Sequence, residues 1–492
     1  MLLESIVEKL EYVKIQGVLK QDVSLVTFDS REVIPNSLFV AISGFQQDGH
    51  SYVAKAIESG AKTIVIEKEL DIVVDKEITV LKVENARKSL AILGANFYGN
   101  PSKEINLIGI TGTNGKTSTT YLLKSVFEQV NNSLAVIGTN GTVINNKLYE
   151  NDNTTPESVK LQAFFKKMVE ENVSDCIMEV SSHALELNRV FASSFNIGIF
   201  TNLTPDHLEL HGDMETYFQA KAKLFELTQK YNIVNIDDPY GRRLVNQLED
   251  TVAETITYGI HNEADVYATD IKYSLSKIEF CLNTPTEKEN MVVNLSGEIF
   301  LYNALSAATA AYYSGISLKD IKLGFESLKT VDGRFELIYD HHDEKVIIDF
   351  AHTEDALKKA LTTLRPFVKE RLILVFGVYA DMSKRGSDKR NGMGKVAAEY
   401  ADYSIVTSDN PKLNDPDKIL EEVSRAVEVN GGKYTAFMDR EEAIKHAVSI
   451  ARAGDVILIA GKGHENVQII GKNKIPFNEK EIVYKAMSDK WN

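Results

Sequence analysis

Short apolar runs recur along the chain, at residues 107–110, 176–180, 197–200, 346–348, 372–376, 403–406 and 456–460. Each is followed by a turn and then by a segment of different periodicity. After Asp355, the apolar residues Ala356, Leu357, Ala360, Leu361 and Leu364 fall at helical spacing, with Lys358 and Lys359 between them. Continuous apolar runs of this length read as strands buried on both faces. Their alternation with amphipathic helices predicts an α/β protein with parallel sheets covered on both sides. The pattern separates into three blocks, 1–98, 99–331 and 332–492. The first has short strands. The second opens after Asn100-Pro101 with a glycine-rich loop, and the third opens near Gly333 with a new series of strands. No internal repeat or low-complexity tract interrupts them.

The polar residues capable of chemistry cluster just after the apolar runs. Gly112 to Thr117 follow the run at 107–110; Ser181, Ser182 and His183 follow 176–180; Thr201 to His207 follow 197–200. Asp349 and His352, Asp409 and Asn410, and Gly461 to Glu465 repeat the arrangement. Open α/β sheets bind ligands at the carboxyl ends of their strands, so two such sheets facing each other would enclose a site between domains.

Composition narrows the function. A chain of 492 residues is too long for one hydrophobic core, so about two to three domains are expected. Apolar residues make up 43% and charged residues 25%, an ordinary globular balance. Lys plus Arg number 55 against 70 Asp plus Glu, a net charge of −15. That balance argues against a nucleic-acid surface, and it means that an anionic substrate must be held by local cations or metal ions. The two cysteines, Cys176 and Cys281, form no CxxC pair and suggest neither a zinc site nor a disulfide framework. No basic and apolar leader opens the sequence, and no run reaches the length of a membrane span. A cytoplasmic protein with no membrane span, active as a monomer, is the expectation.

The segment Gly109-Ile110-Thr111-Gly112-Thr113-Asn114-Gly115-Lys116-Thr117-Ser118 departs from the strict phosphate-loop pattern, which would place a glycine at Ile110. It keeps the tighter core GTNGKTS. Its glycines let backbone N–H groups approach phosphate oxygens, and the helix that follows favours anions at its start. Lys116 would reach the terminal phosphates and the Thr117 hydroxyl would meet Mg²⁺, which favours a nucleotide site over an incidental glycine-rich turn. Glu179, at the end of an apolar run, is a natural Mg²⁺ ligand beside such a loop, although a lone glutamate is more often a cap or solvated. His207, taken alone, reads as structural. Lys221 reads as an ordinary helix lysine, and nothing in spacing marks it over Lys223.

Taken together, these segments resemble the Mur ligases, most closely the members that add the third residue of the cell-wall peptide. The resemblance rests on Asp29-Ser30-Arg31, Ser37 to Val40, Asp48-Gly49-His50, the GTNGKTS loop, Asn153 to Glu157, Met178 to Leu185, Thr201-Asn202-Leu203 and Asp206-His207. It continues through Ala220-Lys221, Tyr302-Asn303, Gly333 to Glu336, Asp349 to Thr353, Asp409-Asn410-Pro411 and Gly461 to Glu465, so it covers nearly the whole chain. It implies a three-domain architecture: a UDP-sugar domain, a central P-loop ATPase domain built on a parallel sheet, and a C-terminal Rossmann-like domain that receives a free amino acid. It implies that Ser30, Thr154, Thr155, Ser181 and Arg189 hold UDP-N-acetylmuramoyl-L-Ala-D-Glu, and that Asn303, Arg334 and Asp349 join the Gly112 to Ser118 loop around ATP. It implies a carbamoylated Lys221 that holds Mg²⁺ with His207, Glu179 and Thr117, and catalytic roles for Lys116, Lys221 and His207. Asp409, Asn410, Pro411, Lys412, Gly461 and Glu465 would receive the amino acid.

The chain also departs from that pattern. Met382 stands where these enzymes usually carry an arginine for the amino acid, in a loop longer by about three residues, with Lys384 and Arg385 as substitute cations. Lys412 follows Asp-Asn-Pro at the position that reads the far end of the amino acid. A cation there favours the extra carboxylate of meso-diaminopimelate over the ammonium of L-lysine, though without the fork of an arginine. The alternatives are the same ligation with L-lysine or an unusual amino acid, a folylpolyglutamate-type ligase, and a non-enzymatic P-loop protein. The 29–31 and 153–157 segments argue against the folate reading. Asn146-Lys147-Leu148-Tyr149 lacks the aspartate of a guanine reader, which argues against a GTPase switch.

Overall fold

A computed structural model describes residues 1–491 apart from 45–46, 132, 207 and 379–380; of Glu209 only the backbone is described. The expected α/β architecture is borne out. Each of the seven apolar runs named above falls on a strand, such as Asn106–Thr111, Asp175–Glu179, Leu372–Phe376 and Val456–Ala460.

Three large sheets carry the chain among the described residues. The first orders its strands Val13–Gln16, Thr79–Lys82, Ala61–Ile66, Ser37–Val40 and Leu25–Thr27. The second is eleven-stranded, with Asn106–Thr111 between Phe195–Phe200 and Asp175–Glu179. The third is six-stranded, with Val456–Ala460 between Glu344–Asp349 and Leu372–Phe376. In the second and third sheets the chain leaves one strand, forms a helix and returns two strands away. A later strand fills the gap, and this arrangement opens a crevice at the carboxyl ends.

The sheets are not parallel throughout, as the apolar runs alone predicted. Gly141–Ile144 and Lys147–Tyr149 add an antiparallel hairpin to one edge of the second sheet. Val266–Tyr273, Ile278–Asn283 and Lys288–Val293 form an antiparallel set at the other edge. The first hairpin turns on Asn145 and Asn146, both left-handed at φ 46° and 67°, the two-residue turn that matches strand twist. Edge strands are half-exposed and carry no long apolar run, so the buried-strand signal passes over them.

Helix Glu354–Leu364 starts at Thr353, whose hydroxyl accepts from the Ala356 amide at 3.3 Å, and it buries Leu357, Ala360, Leu361 and Leu364. Helix Glu298–Tyr313 is apolar around most of its circumference and is buried accordingly. It belongs to one continuous core that runs from Ile108 and Leu122 in the central unit to Leu361 and Leu458 in the C-terminal unit. The two units are therefore packed on each other as well as linked. No helix among the described residues is long and apolar enough to cross a membrane.

The link itself is tight. Gly333 is left-handed at φ 64°, and a Cβ there would fall 2.1 Å from the backbone nitrogen of His464. Gly333→Ala is therefore expected to lower stability by about 2 kcal/mol or more through strain and collision. Thermal unfolding checks this; a melting temperature within about 1 °C of the parent would show that the loop yields freely.

Candidate functional site

The phosphate loop joins the strand Asn106–Thr111 to the helix Lys116–Val130. The end of the neighbouring strand fixes its shape. Asn202 accepts from the Asn114 amide at 3.0 Å and donates to the Asn114 carbonyl at 3.0 Å, and the Thr201 hydroxyl donates to that carbonyl at 2.7 Å. Thr113 pairs its hydroxyl with the Tyr217 phenol at 3.2 Å. Gly115, at φ 92°, leaves room for the carboxamide of Asn303: a Cβ would sit 2.3 Å from Asn303 Oδ1. Gly112 and Ser118 complete the loop and the first turn, with Ser118 buried.

Two lysines converge on the loop. Lys116 Nζ donates to the carbonyls of Gly112 and Thr113, both at 2.9 Å, and Lys221 Nζ donates to the same Gly112 carbonyl at 2.8 Å. Burial lowers the pKa of both. Glu179 and Asp206 oppose the effect at Lys116, whereas the charge of Lys116 adds to it at Lys221, which falls well below the ordinary lysine range. The Tyr217 ring lies 4.6 Å from the Lys221 ammonium. His207 falls outside the described residues, while its neighbour Asp206 lies close enough to act on both lysines.

Glu179 is buried at the end of its strand. Its carboxylate accepts from the Thr117 hydroxyl at 2.9 Å and from the Thr139 amide and hydroxyl at 3.0 and 3.2 Å. The residues expected around the muramoyl dipeptide gather on the same strand end. Thr155 donates to the Glu179 carbonyl at 2.9 Å and accepts from the Ser181 amide at 3.1 Å, and Arg189 donates to the Thr155 carbonyl at 3.1 Å. Thr154 reaches Thr139, hydroxyl to hydroxyl, at 3.4 Å. Ser30 stands apart in the first sheet's unit and makes no hydrogen bond to these groups among the described residues.

The third unit meets the loop through Arg334. Its guanidinium lies 4.3 Å above the Phe350 ring and donates to the Thr117 hydroxyl at 3.4 Å. The Asp349 carboxylate accepts from the Phe335 and Ala351 amides at 2.7 and 2.9 Å, so it closes the linker onto the strand end. The Gly461 amide donates to the Asp349 carbonyl at 3.0 Å, which ties the 461–465 loop to that strand. Asn410 Nδ2 donates to Glu465 at 2.8 Å, and the buried Lys462 donates to both, at 3.1 Å to Asn410 and 2.9 Å to Glu465. Pro411 is buried. Lys412 is exposed and left-handed at φ 51°, with its backbone held to Ile469 and Gly471 at 3.1 and 2.7 Å. Arg385, one of the two substitute cations considered for the missing arginine, donates instead to the backbone carbonyls of Leu208 and Gly212. A cavity of about 690 Å³ opens beside the loop at Asn202, lined also by Asp237, Glu298, Tyr302, Lys359 and Thr363.

The sequence reading missed Thr139, Asp206, Tyr217 and Lys462. Asp206 and Lys462 stand inside segments it quoted, and adjacency was the available signal. Thr139 and Tyr217 carry no signal without the fold.

Models of the Mur ligase family match in three pieces: its catalytic-domain model at residues 22–98, the Mur ligase middle domain at 110–311, and the Mur ligase glutamate ligase domain at 333–463. The chain is 42% identical over 482 residues to a UDP-N-acetylmuramoyl-L-alanyl-D-glutamate–2,6-diaminopimelate ligase of Alkaliphilus oremlandii, covering 98% of each. It is 40% identical to the protein of that name in Clostridioides difficile, covering 99% of this chain and all of that one. A solved structure of a ligase with that name aligns at a TM-score of 0.71 and 29% identity over 99% of both chains. A MurF ligase from Thermotoga maritima in complex with ADP shares the fold at a TM-score of 0.62 and 18% identity, over 94% of this chain and 97% of its own.

Phe350 is flanked by His352 and His464, with ring centroids at 4.5 and 5.0 Å. Burial pushes the pKa of each down to about 4, helped by Lys389 at His352 and by Arg334 at His464. The unfolded chain takes up these protons from about pH 6.5 downward, while the folded chain resists until about pH 4. Stability is therefore expected to fall as pH drops through that window, by roughly 1–2 kcal/mol per histidine at pH 5. Urea unfolding at pH 7 and pH 5 checks it: His352→Gln/His464→Gln should flatten the dependence, and an unchanged slope would remove these histidines as its cause.

Proposed function

Because the chain belongs to the Mur ligase family, we propose that it joins the amine of meso-diaminopimelate to the D-Glu carboxylate of UDP-N-acetylmuramoyl-L-Ala-D-Glu, using ATP, in the cytoplasm. The observation that supports this reading most is the meeting of three groups across one linker. These are the Lys116 and Thr117 end of the phosphate loop, the Glu179, Thr155 and Ser181 cluster, and the Asn410, Lys462 and Glu465 cluster joined through Arg334, Phe350 and Gly461. The relatives' names give the substrates, and their likeness extends along the full chain.

The chemistry follows from the difficulty of the reaction. A carboxylate is a poor electrophile, and an amine cannot displace oxide from it. Transfer of the ATP γ-phosphoryl group makes an acyl phosphate with a good leaving group, and the deprotonated amine then attacks its carbonyl. The protein's share is positioning and charge neutralisation. The loop amides and Lys116 hold the phosphates, Asn303, Arg334 and Asp349 complete the ATP site beside the loop, and Ser30, Thr154, Thr155, Ser181 and Arg189 hold UDP-N-acetylmuramoyl-L-Ala-D-Glu. The oxygen donors Thr117 and Glu179 fit a hard cation, and with His207 and a carbamoylated Lys221 they would hold Mg²⁺. When bound, Mg²⁺ neutralises the charge that builds on the transferring phosphoryl group. The amino acid would lie between Asp409, Asn410, Pro411, Lys412, Gly461 and Glu465, with Lys412 facing its far carboxylate.

A panel of free amino acids, assayed for phosphate release with ATP and UDP-N-acetylmuramoyl-L-Ala-D-Glu, tests the reading. Diaminopimelate should turn over faster than L-lysine, Lys412→Ala should narrow that preference by about tenfold, and Lys116→Ala should abolish turnover while the protein stays folded. Faster turnover with L-lysine would overturn the substrate assignment.

Lys221 supports a second expectation. A neutral amine is the form that adds carbon dioxide, and its burial beside Lys116 favours that form. Isotope-labelled bicarbonate should give a carbamate carbon signal in the wild type that disappears in Lys221→Ala. A spectrum without that difference would leave Lys221 an unmodified lysine.

A further inference from the structure

The C-terminal unit buries an alternating set of charges next to the amino-acid site. Arg440 opens the helix Arg440–Ile450 and donates to Glu479 Oε1 at 2.7 Å and to the Ala460 carbonyl at 2.8 Å. Asp409 lies against Gly461, where a Cβ would come within 2.8 Å of its Oδ2. Lys462 is 0% exposed, and Asp409, Arg440 and Glu479 are 7%, 1% and 3% exposed, whereas the Glu465 side chain is 32% exposed. Two cations face three carboxylates. Burial raises the pKa of both Asp409 and Glu479, and the member most open to solvent is Glu465.

Lys462 also decides how Glu465 is held. Its ammonium donates to Glu465 Oε2 at 2.9 Å and to Asn410 Oδ1 at 3.1 Å. The Ile469 amide donates to that same Oδ1 at 2.9 Å, so the Asn410 carboxamide is fixed with its Nδ2 toward Glu465 Oε2, at 2.8 Å. One carboxylate oxygen is thus held by two donors. Glu465 Oε1 accepts no hydrogen bond among the described residues.

We propose that Lys462 is a positioning residue for the amino-acid substrate: with Asn410 it locks Glu465 Oε2 and leaves Oε1 as the acceptor for a substrate ammonium. This rests on the reading above, in which Glu465 meets an amine of the amino acid. It assigns to a lysine that never touches the substrate a share of the preference for diamino acids.

The test is steady-state kinetics on the full-length protein with ATP, UDP-N-acetylmuramoyl-L-Ala-D-Glu and diaminopimelate. Lys462→Met should raise KM for diaminopimelate about tenfold or more, with a smaller fall in kcat, and leave KM for the two nucleotides within about twofold. Since Lys462 acts through Glu465, Lys462→Met/Glu465→Gln should be no worse than Glu465→Gln alone, whereas independent roles would multiply. If Lys462→Met does not fold, Lys462→Arg carries the test, because it keeps the charge but displaces the donor; the same selective rise in KM is expected. Equal losses for all three substrates, multiplying effects in the double variant, or an unchanged KM for diaminopimelate would each overturn the proposal. A wild-type protein that does not ligate diaminopimelate would overturn the functional reading itself.

Discussion

Everything in the site follows from one electrostatic constraint: a chain with a net charge of −15 must gather phosphates and carboxylates. It does so by concentrating cations around the phosphate loop. Lys116 and Lys221 share the Gly112 carbonyl, and Arg334 reaches the Thr117 hydroxyl from across the linker. Like charges this close are unfavourable by themselves. They persist because the loop carbonyls, Glu179 and Asp206 face them. The arrangement is poised for anions, and a triphosphate is the group that satisfies it.

That concentration of charge requires a fixed loop, and the fixing groups are neutral. Asn202, Thr201, Tyr217 and Asn303 hold Asn114, Thr113 and Gly115 through hydrogen bonds and close contact. They add no charge that phosphate would have to overcome. On the opposite side, Thr139 shares the Glu179 carboxylate with Thr117, so the turn after the strand Leu134–Gly138 is tied to the same carboxylate. The phosphate loop, Glu179 and Thr139 are thus parts of one hydrogen-bonded block.

The amino-acid side is built differently. There Lys462 is buried and donates to both Asn410 and Glu465. Lys412 is its counterpart: an exposed cation whose backbone is pinned in a left-handed turn against Ile469 and Gly471. The two clusters communicate through packing. Gly461 bonds the Asp349 strand, and Phe350 lies between Arg334 and His464. Gly333 packs closely against the backbone of Gly463 and His464 beside that stack.

The sequence by itself determined the strands and the loop chemistry, because both are local. An apolar run of four or five residues is a buried strand wherever it sits, and GTNGKTS shapes a phosphate turn from its own glycines. It also placed Glu179, Ser181, Asp349 and Asn410 correctly at strand ends, since α/β sheets expose their loops there. The antiparallel edges were not legible, because half-exposed strands lack the apolar signature. Nor was the choice of Lys221 over Lys223, which differ only in which helix face meets Gly112: the first is 1% exposed against the loop, and the second pairs with Glu186. Arg385 lay near enough in sequence to replace a missing arginine, yet the fold turns it towards Leu208 and Gly212. Lys462 sat in plain view inside a quoted motif, and only the packing of Asn410 and Glu465 around its ammonium singled it out. Direction and burial of a side chain depend on residues far away in the chain, and for that physical reason tertiary structure alone decided them.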